Sequence, residues 1–270
     1  MSAEDFKRFS SFIERELGIK MPATKQVMLE SRLSRRLRSH GFSNYRQYVD
    51  FVFSDEGGRT ELIHMIDAVT TNKTDFFREA DHFDFLLNTL LPKARTVRGE
   101  PFRVWSAGCS TGEEPYNLAM VLEEHRRAYP DFDFTVLATD ISTQVLSTAL
   151  NAVYELEKVA VVPMEYKKRY LLKSKDPARK IVRIRPELRR RIDFGRLNFM
   201  DEDFGLQSRF DVIFCRNVII YFDRPTQERL IRKFYDHLKV GGSLFLGHSE
   251  TMTGMSVPFR SVAPTIYRKE

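Results

Sequence analysis

Apolar residues in the first seventy positions recur at intervals of three and four. Phe6, Phe9, Ile13 and Leu17 share one face of a helix that Gly18 stops. A second helix is predicted from about Thr24 to His40, closed by Gly41. Tyr45, Tyr48, Val49 and Val52 mark a third, ending before Gly57-Gly58, and Leu62, Ile63, Ile66 and Val69 mark a fourth. Past residue 100 the pattern changes to apolar runs of strand length, each ending in polar or glycine-containing turns. They are RVWSAG (103–108), FTVLATDIS (134–142), RLNFMDEDF (196–204), FDVIFC (210–215) and LKVGGSLFLGHSE (238–250). The last reads as a helix stop, a Gly-Gly turn and a strand. A helical unit followed by alternating strands and helices predicts an α/β fold behind a small all-α domain.

Ligands in open α/β sheets bind outside the carboxyl ends of the strands, and the polar residues here fall at those ends. After the first strand come Gly108 and Gly112, then Glu113, Glu114 and Pro115 opening an apolar helix. Asp140 follows the second strand, where an acid can bond ribose hydroxyls. Asn198 and Phe199 follow the third, an amide and an aromatic suited to the edge and face of an adenine. Arg216, Asn217 and Tyr221 follow the fourth. Each has a plainer reading: a helix cap for Asp140, a turn for Asn198, a surface charge for Arg216, core for Tyr221. Their succession in one order favours a nucleoside site of the kind that holds S-adenosylmethionine.

Composition narrows the class. With 270 residues, 42% hydrophobic and 22 of them Phe, the chain can bury a sizeable core. No apolar stretch approaches the roughly 18–20 residues that span a bilayer, and MSAEDFKRF has no signal pattern, so a soluble intracellular protein is expected. Two cysteines, Cys109 and Cys215, argue against a disulfide framework, and the six histidines show no metal-ligand spacing. No metal is expected.

Charge is unevenly placed. Residues 158–191 hold 13 Lys or Arg against three acids, a net +10 in a chain of net +6, leaving −4 for the remainder. Within that segment, residues 181–185 (IVRIR) alternate like a strand, which predicts a small antiparallel insertion. In the second helix Arg32, Arg35 and Arg36 form a stripe at i, i+3, i+4, with Lys25 two turns earlier and Arg38 pointing elsewhere. A solvated face and a docking surface for something acidic are both open readings. For the segment 158–191, nucleic acid, an acidic protein surface or plain solubility would each account for the charge.

Several segments together carry a resemblance. TTNKTDFFRE (70–79), AGCSTGEEPY, ATDI, CRNVIIYF, GHSE and RLSRRLRSHG resemble the CheR family of bacterial chemoreceptor glutamate methyltransferases, over essentially the whole chain. The resemblance implies a helical N-terminal domain at 1–75 that docks the receptor, and a Rossmann-like S-adenosylmethionine-dependent methyltransferase domain at 76–270. A small antiparallel β-subdomain is inserted at about 155–193. It implies donor contacts at Asn72, Thr74, Arg78, Glu114, Asp140, Asn198, Phe199, Arg216 and Asn217. Arg78 and Tyr221 would line the transfer site, and Arg32, Arg35 and Arg36 would face the receptor's methylation helix. The implied reaction methylates glutamate side chains on the cytoplasmic domain of chemoreceptors. S-adenosylhomocysteine is its by-product. A monomer is expected, with neither nucleic acid nor membrane insertion among its partners. Family members that tether to a receptor's C-terminal peptide carry a glycine in the subdomain turn. Residues 171–184 (LLKSKDPARKIVRI) have none, so a tether-independent enzyme is expected.

An acid acceptor agrees with the residues. A carboxylate of pKa near 4.3 is ionised at pH 7 and needs no general base. The strand ends offer no obvious base. A nucleic-acid methyltransferase and an inactive ligand-binding module are the competing classes.

Overall fold

The computed structural model describes residues 1–94, 100–176 and 178–270. Pro177, within the glycine-free turn, lies outside the described residues. The helical unit consists of α1 (Ala3–Leu17), α2 (Gln26–Ser39), α3 (Tyr45–Val52), α4 (Asp55–Thr60) and α5 (Leu62–Val69). Ser2 accepts from the Asp5 N–H at the start of α1, and Gly18 ends it in the left-handed region at φ 69°. The third helix does stop at Val52, but Gly57-Gly58 fall inside the additional helix α4, which Ser54 caps through the Gly57 N–H. Phe9, Ile13, Leu29, Leu33, Tyr48 and Met65 fill the core between these helices.

The second unit begins with α6 (Ala80–Phe85), β1 (Phe102–Ala107), α7 (Glu113–Ala128), β2 (Phe134–Asp140) and α8 (Thr143–Asn151). The basic insertion follows: β3 (Val153–Glu155), α9 (Met164–Tyr170), β4 (Leu171–Lys173), β5 (Ile181–Ile184) and α10 (Pro186–Arg189). The chain then returns through β6 (Ile192–Arg196), β7 (Phe210–Cys215), α11 (Arg224–His237), β8 (Leu238–Leu246), β9 (Phe259–Ala263) and β10 (Ile266–Lys269).

The main sheet runs β6-β2-β1-β7-β8-β10-β9, and a separate three-stranded sheet runs β3-β5-β4. Strands β6, β2, β1, β7 and β8 are parallel, while β10 and β9 pair antiparallel at one edge. Residues alternate between two buried faces. Val104, Val136, Phe214 and Phe245 pack under α6, α7 and α8, and Trp105, Ile213 and Leu244 pack on Leu230, Ile231 and Phe234 of α11. Burying side chains of this size contributes roughly 1.5–3 kcal/mol each. The Trp105 indole N–H donates to Thr139 Oγ1 at 2.9 Å, so burial leaves it no orphan donor. Gly241-Gly242 do not form a turn ahead of a strand. They lie within β8, where its register with β7 shifts between Phe210 and Val212.

Strand order reverses direction between β1 and β7, and such a switch point opens a crevice at the carboxyl ends. The helical unit closes over that crevice. Ile19 bridges Phe222, the Lys20 N–H donates to the Tyr221 carbonyl, and Asp67 accepts from Thr143 Oγ1.

Candidate active site

A cavity of about 270 Å³ sits at this switch point. Its walls include all ten residues assigned from sequence to donor or transfer: Asn72, Thr74, Arg78, Glu114, Asp140, Asn198, Phe199, Arg216, Asn217 and Tyr221. Arg32, Arg35 and Arg36 lie outside it.

Leaving β1, the chain makes a tight loop in which Gly108 has φ 85°, Ser110 φ 49° and Gly112 φ 97°. A Cβ on Gly108 would lie 2.7 Å from Val218 Cγ2, so only glycine lets this loop and the β7 loop share one mouth. Asp140, at the end of β2, accepts the Ser110 N–H at 2.9 Å and the Ser142 N–H at 3.0 Å. Ser142, not Asp140, caps α8. That removes the plainer reading of Asp140, whose carboxylate stays at the cavity wall with lone pairs to spare. Burial pushes its carboxyl above the usual range, against the pull of those N–H donors.

The two glutamates that open α7 diverge. Glu114 faces the cavity, accepting Ser106 Oγ at 2.7 Å and the Arg216 Nε–H at 2.7 Å. Glu113 is fully buried on another side, accepting from Thr111 Oγ1 and Lys158 Nζ. Arg216 also donates to the Arg78 carbonyl at 2.7 Å and lies over the Phe83 and Phe214 rings. It is a buried strut rather than a surface charge.

Asn198 lines the cavity, but its amide also joins the two units: Nδ2 donates to the Glu16 carbonyl at 2.8 Å. Phe199 packs against Phe204 and Phe234 with one side left to the cavity. Tyr221 ends a short 3₁₀ turn, Ile219–Tyr221, and borders the cavity instead of filling the core.

The segment 70–79 is not a capped helix start. Helix α6 begins only after Glu79, and Phe77 and Glu79 both take left-handed backbone, φ 51° and 55°. For residues with a Cβ this costs on the order of 1–3 kcal/mol each. Their contacts hold the turn. Phe77 stacks edge-on against Phe83, while Glu79 accepts from Asn217 Nδ2 and the His248 N–H, each at 3.2 Å. Arg78, between them, is presented to the cavity with one bond of its own, to the Lys73 carbonyl at 3.2 Å.

Two acids that sequence reasoning did not assign organise the site. One is Glu79. The other is Glu250, whose buried carboxylate gathers the N–H groups of Asn217, Val218, Ile220 and Gly247 at 2.6–3.3 Å. It thereby fixes the left-handed Asn217, φ 59°, that follows Arg216. The only local sign of either was an acid in an otherwise motif-like segment.

Glu79, His82 and His248 bring three potential ligand atoms within 4.8 Å of one another, although their spacing in sequence gave no hint. The Arg216 Nη1 lies 3.4 Å from both Glu79 Oε2 and His82 Nδ1, so a fixed cation already occupies that junction. His82 is buried, and burial together with Arg216 pushes its pKa down to about 4. Burial raises both thiols, Cys109 and Cys215, and neither is placed as a nucleophile.

The basic stripe of α2 divides. Arg36 ion-pairs with the buried Glu61, which also accepts from Tyr48 and contacts His40. Arg32 bonds the end of α5, and only Arg35 of the three is exposed. Contrary to the sequence reading, Arg38 shares the exposed face with Arg35, along with Ser31 and the 75% exposed Val27. Only part of the basicity of 158–191 is matched by acids: Lys158 pairs with Glu113, Lys168 with Glu165, Arg169 with Glu124 and Arg191 with Asp133. Among the described residues no helix is long and apolar enough to cross a membrane.

Comparison with known proteins agrees with this layout. A family model described as the CheR methyltransferase all-alpha domain matches residues 4–70, and one described as the CheR methyltransferase SAM binding domain matches residues 72–268. A chemotaxis protein methyltransferase of Borreliella burgdorferi is 39% identical over 276 residues, covering 100% of this chain and 95% of the relative. That of Escherichia coli is 39% identical over 267 residues, covering 99% and 91%. Chemotaxis protein methyltransferase 2 of Pseudomonas aeruginosa is 39% identical over 265 residues, covering 98% and 92%.

Proposed function

The chain belongs to the CheR methyltransferase family, an S-adenosylmethionine-dependent family, and from that premise we propose that it esterifies glutamate side chains on the cytoplasmic domain of chemoreceptors. The observation that carries the reading is the switch-point cavity, which Arg78, Asp140, Glu114 and Tyr221 all line.

The residues present fit the donor. Asp140, held by two backbone N–H groups, offers a buried carboxylate for ribose hydroxyls, and the loop at Gly108 leaves backbone uncovered where a Cβ would close the mouth. Asn198 and Phe199 offer an amide and a ring for the base, and Glu114 with Arg216 and Asn72 polar groups for the remaining end. When bound, S-adenosylmethionine supplies an electrophilic methyl group on a sulfonium. The chain's own residues have no proton to remove, because a glutamate acceptor is already ionised at pH 7. Among the described residues lining the cavity the acids are Glu114, paired with Arg216, and Asp140, which takes N–H donors and keeps lone pairs for the ribose, so neither is called on as a base. Their task and that of Arg78 and Tyr221 is placement and exclusion of water. Arg78 is assigned to hold the acceptor carboxylate by charge-assisted bonds, and Tyr221 to shape its slot. Arg35 and Arg38 form the exposed basic face of α2 offered to an acidic receptor helix bundle.

The test is the chemistry of the product. Membranes bearing chemoreceptors, incubated with the chain and methyl-labelled donor, should acquire label that mild alkali releases as methanol. Label stable to alkali, as on amines or nucleic-acid bases, would overturn the assignment.

A further inference from the structure

Arg32 is bonded inward. Its Nη1 donates to the carbonyls of Val69 and, at 3.0 Å, Thr70, and its Nη2 donates to Thr71 Oγ1 at 2.8 Å. These are the last residue of α5 and the first two of the segment that enters the cavity. Thr70, Thr71 and Asn72 all line the cavity, whereas Arg32 does not. The bonds continue from there. Asn72 Nδ2 donates to Thr70 Oγ1 at 3.2 Å, the Asn72 carbonyl accepts Ser110 Oγ–H at 2.9 Å, and the Ser110 N–H donates to Asp140 at 2.9 Å. A continuous line of hydrogen bonds thus joins α2 to the end of β2.

We propose that Arg32 is a positioning residue for the donor site: by holding residues 69–71 it sets the wall formed by Thr70–Asn72 and, through Ser110, the loop over Asp140. The inference rests on reading the cavity as the donor site. Its physical basis is geometric. Helix α5 ends with carbonyls that lack intrahelical partners, and Thr70 leaves it in extended backbone, ψ 154°. A planar guanidinium can satisfy three acceptors on consecutive residues at once and complements the negative end of the helix dipole. An ammonium reaches one or two of them. Losing Arg32 frees the segment to adopt other conformations, and donor binding must then order it again. Arg32 thereby belongs to the donor pocket rather than to the receptor face of α2, which is left to Arg35 and Arg38.

The experiment is calorimetric titration of S-adenosylhomocysteine into the full chain, without receptor, with thermal melts on each protein. Wild type, Arg32→Lys, Arg32→Ala, Thr71→Val and the exposed control Arg15→Gln are compared. Arg32 does not touch the donor and acts only through the wall it orders, so Arg32→Ala should weaken binding by roughly tenfold. Arg32→Lys should recover part of that loss, Thr71→Val should weaken binding by about twofold to fivefold, and Arg15→Gln should match wild type. A purely structural role would lower the folded fraction and the stoichiometry but leave the dissociation constant of the folded protein unmoved. If Arg32→Ala does not fold, Arg32→Lys decides. Folded Arg32 variants that bind as tightly as wild type would overturn the proposal, as would a defect seen only in receptor KM. Absence of binding by wild type, or wild-type affinity in Asp140→Ala, would instead overturn the donor-site reading on which it rests.

Discussion

Glu114 and Arg216 meet in a buried ion pair, Nε to Oε2 at 2.7 Å, that ties the first turn of α7 to the end of β7. Two strand ends that flank the switch point are thereby held at one separation. Removing a single partner strands a charge away from water, which costs about 3–5 kcal/mol. Glu114→Ala should accordingly lower the urea midpoint sharply. The double variant Glu114→Leu, Arg216→Met should recover much of that stability while still binding S-adenosylhomocysteine poorly. Recovery of both would assign the pair to folding alone.

Arg78 carries little of the fold, having one side-chain bond in the described structure. Arg78→Ala should therefore leave the thermal midpoint within about 1–2 °C yet cut methyl transfer by roughly 10²-fold, the scale expected when an orienting contact is lost. Single-turnover rates at saturating donor check this. A near-normal rate would remove Arg78 from the transfer site.

Within α2, charge reversal should have two distinct outcomes. Arg35→Glu with Arg38→Glu should raise the receptor KM, with wild-type dependence on salt flattened, and leave S-adenosylhomocysteine affinity unchanged. Arg36→Glu sets a second carboxylate against buried Glu61 and should unfold the helical unit at lower urea, by roughly 3–5 kcal/mol. Burial alone would raise Glu61, but Arg36, His40 and Tyr48 hold it down to about 2. A carboxyl lowered in this way stabilises the fold above its unfolded pKa of 4.5, and that contribution disappears as pH falls from 4.5 through about 2.

His82 sets a second, higher window. It is neutral when folded, its pKa pushed down to about 4 from 6.5, so the unfolded chain binds the extra proton first. Stability should therefore fall as pH drops from 6.5 to 4, by up to roughly 3 kcal/mol. His82→Gln, which keeps a donor toward Thr265 Oγ1, should flatten that slope in urea titrations taken between pH 7 and 4. An unchanged slope would point to other groups.

What the sequence made legible follows the range of the interactions. The strand ends carrying Asp140, Asn198 and Arg216 could be read because each is marked locally, by an apolar run that stops at a polar residue. The depth of the α2 stripe could not. Residues at i, i+3, i+4 share a side, but whether Arg36 meets solvent or Glu61 depends on the junction of α4 and α5, 25 residues away. The pair Gly241-Gly242 misled for a related reason, since glycine permits a break without requiring one. Phe77 and Glu79 are the converse, adopting a glycine-like backbone because Phe83, Asn217 and His248 hold them there. Glu250 reads from sequence only as a turn or core-edge acid, because its four donors come from a loop more than 25 residues upstream as well as from its own turn.

Leu17 and Ile19, from the helical unit, stand in the same cavity wall as Leu197 and Phe222 of the sheet domain, and the Glu16 carbonyl is bonded by Asn198. If the cavity holds the donor as proposed, donor affinity is for that reason not separable from the helical unit by cutting the chain near residue 70. A chimera that borrows its first seventy residues from a relative, meant only to change the proposed receptor contact, would import part of this cavity wall with them. Natural drift at these positions is expected to be tied across the junction in the same way.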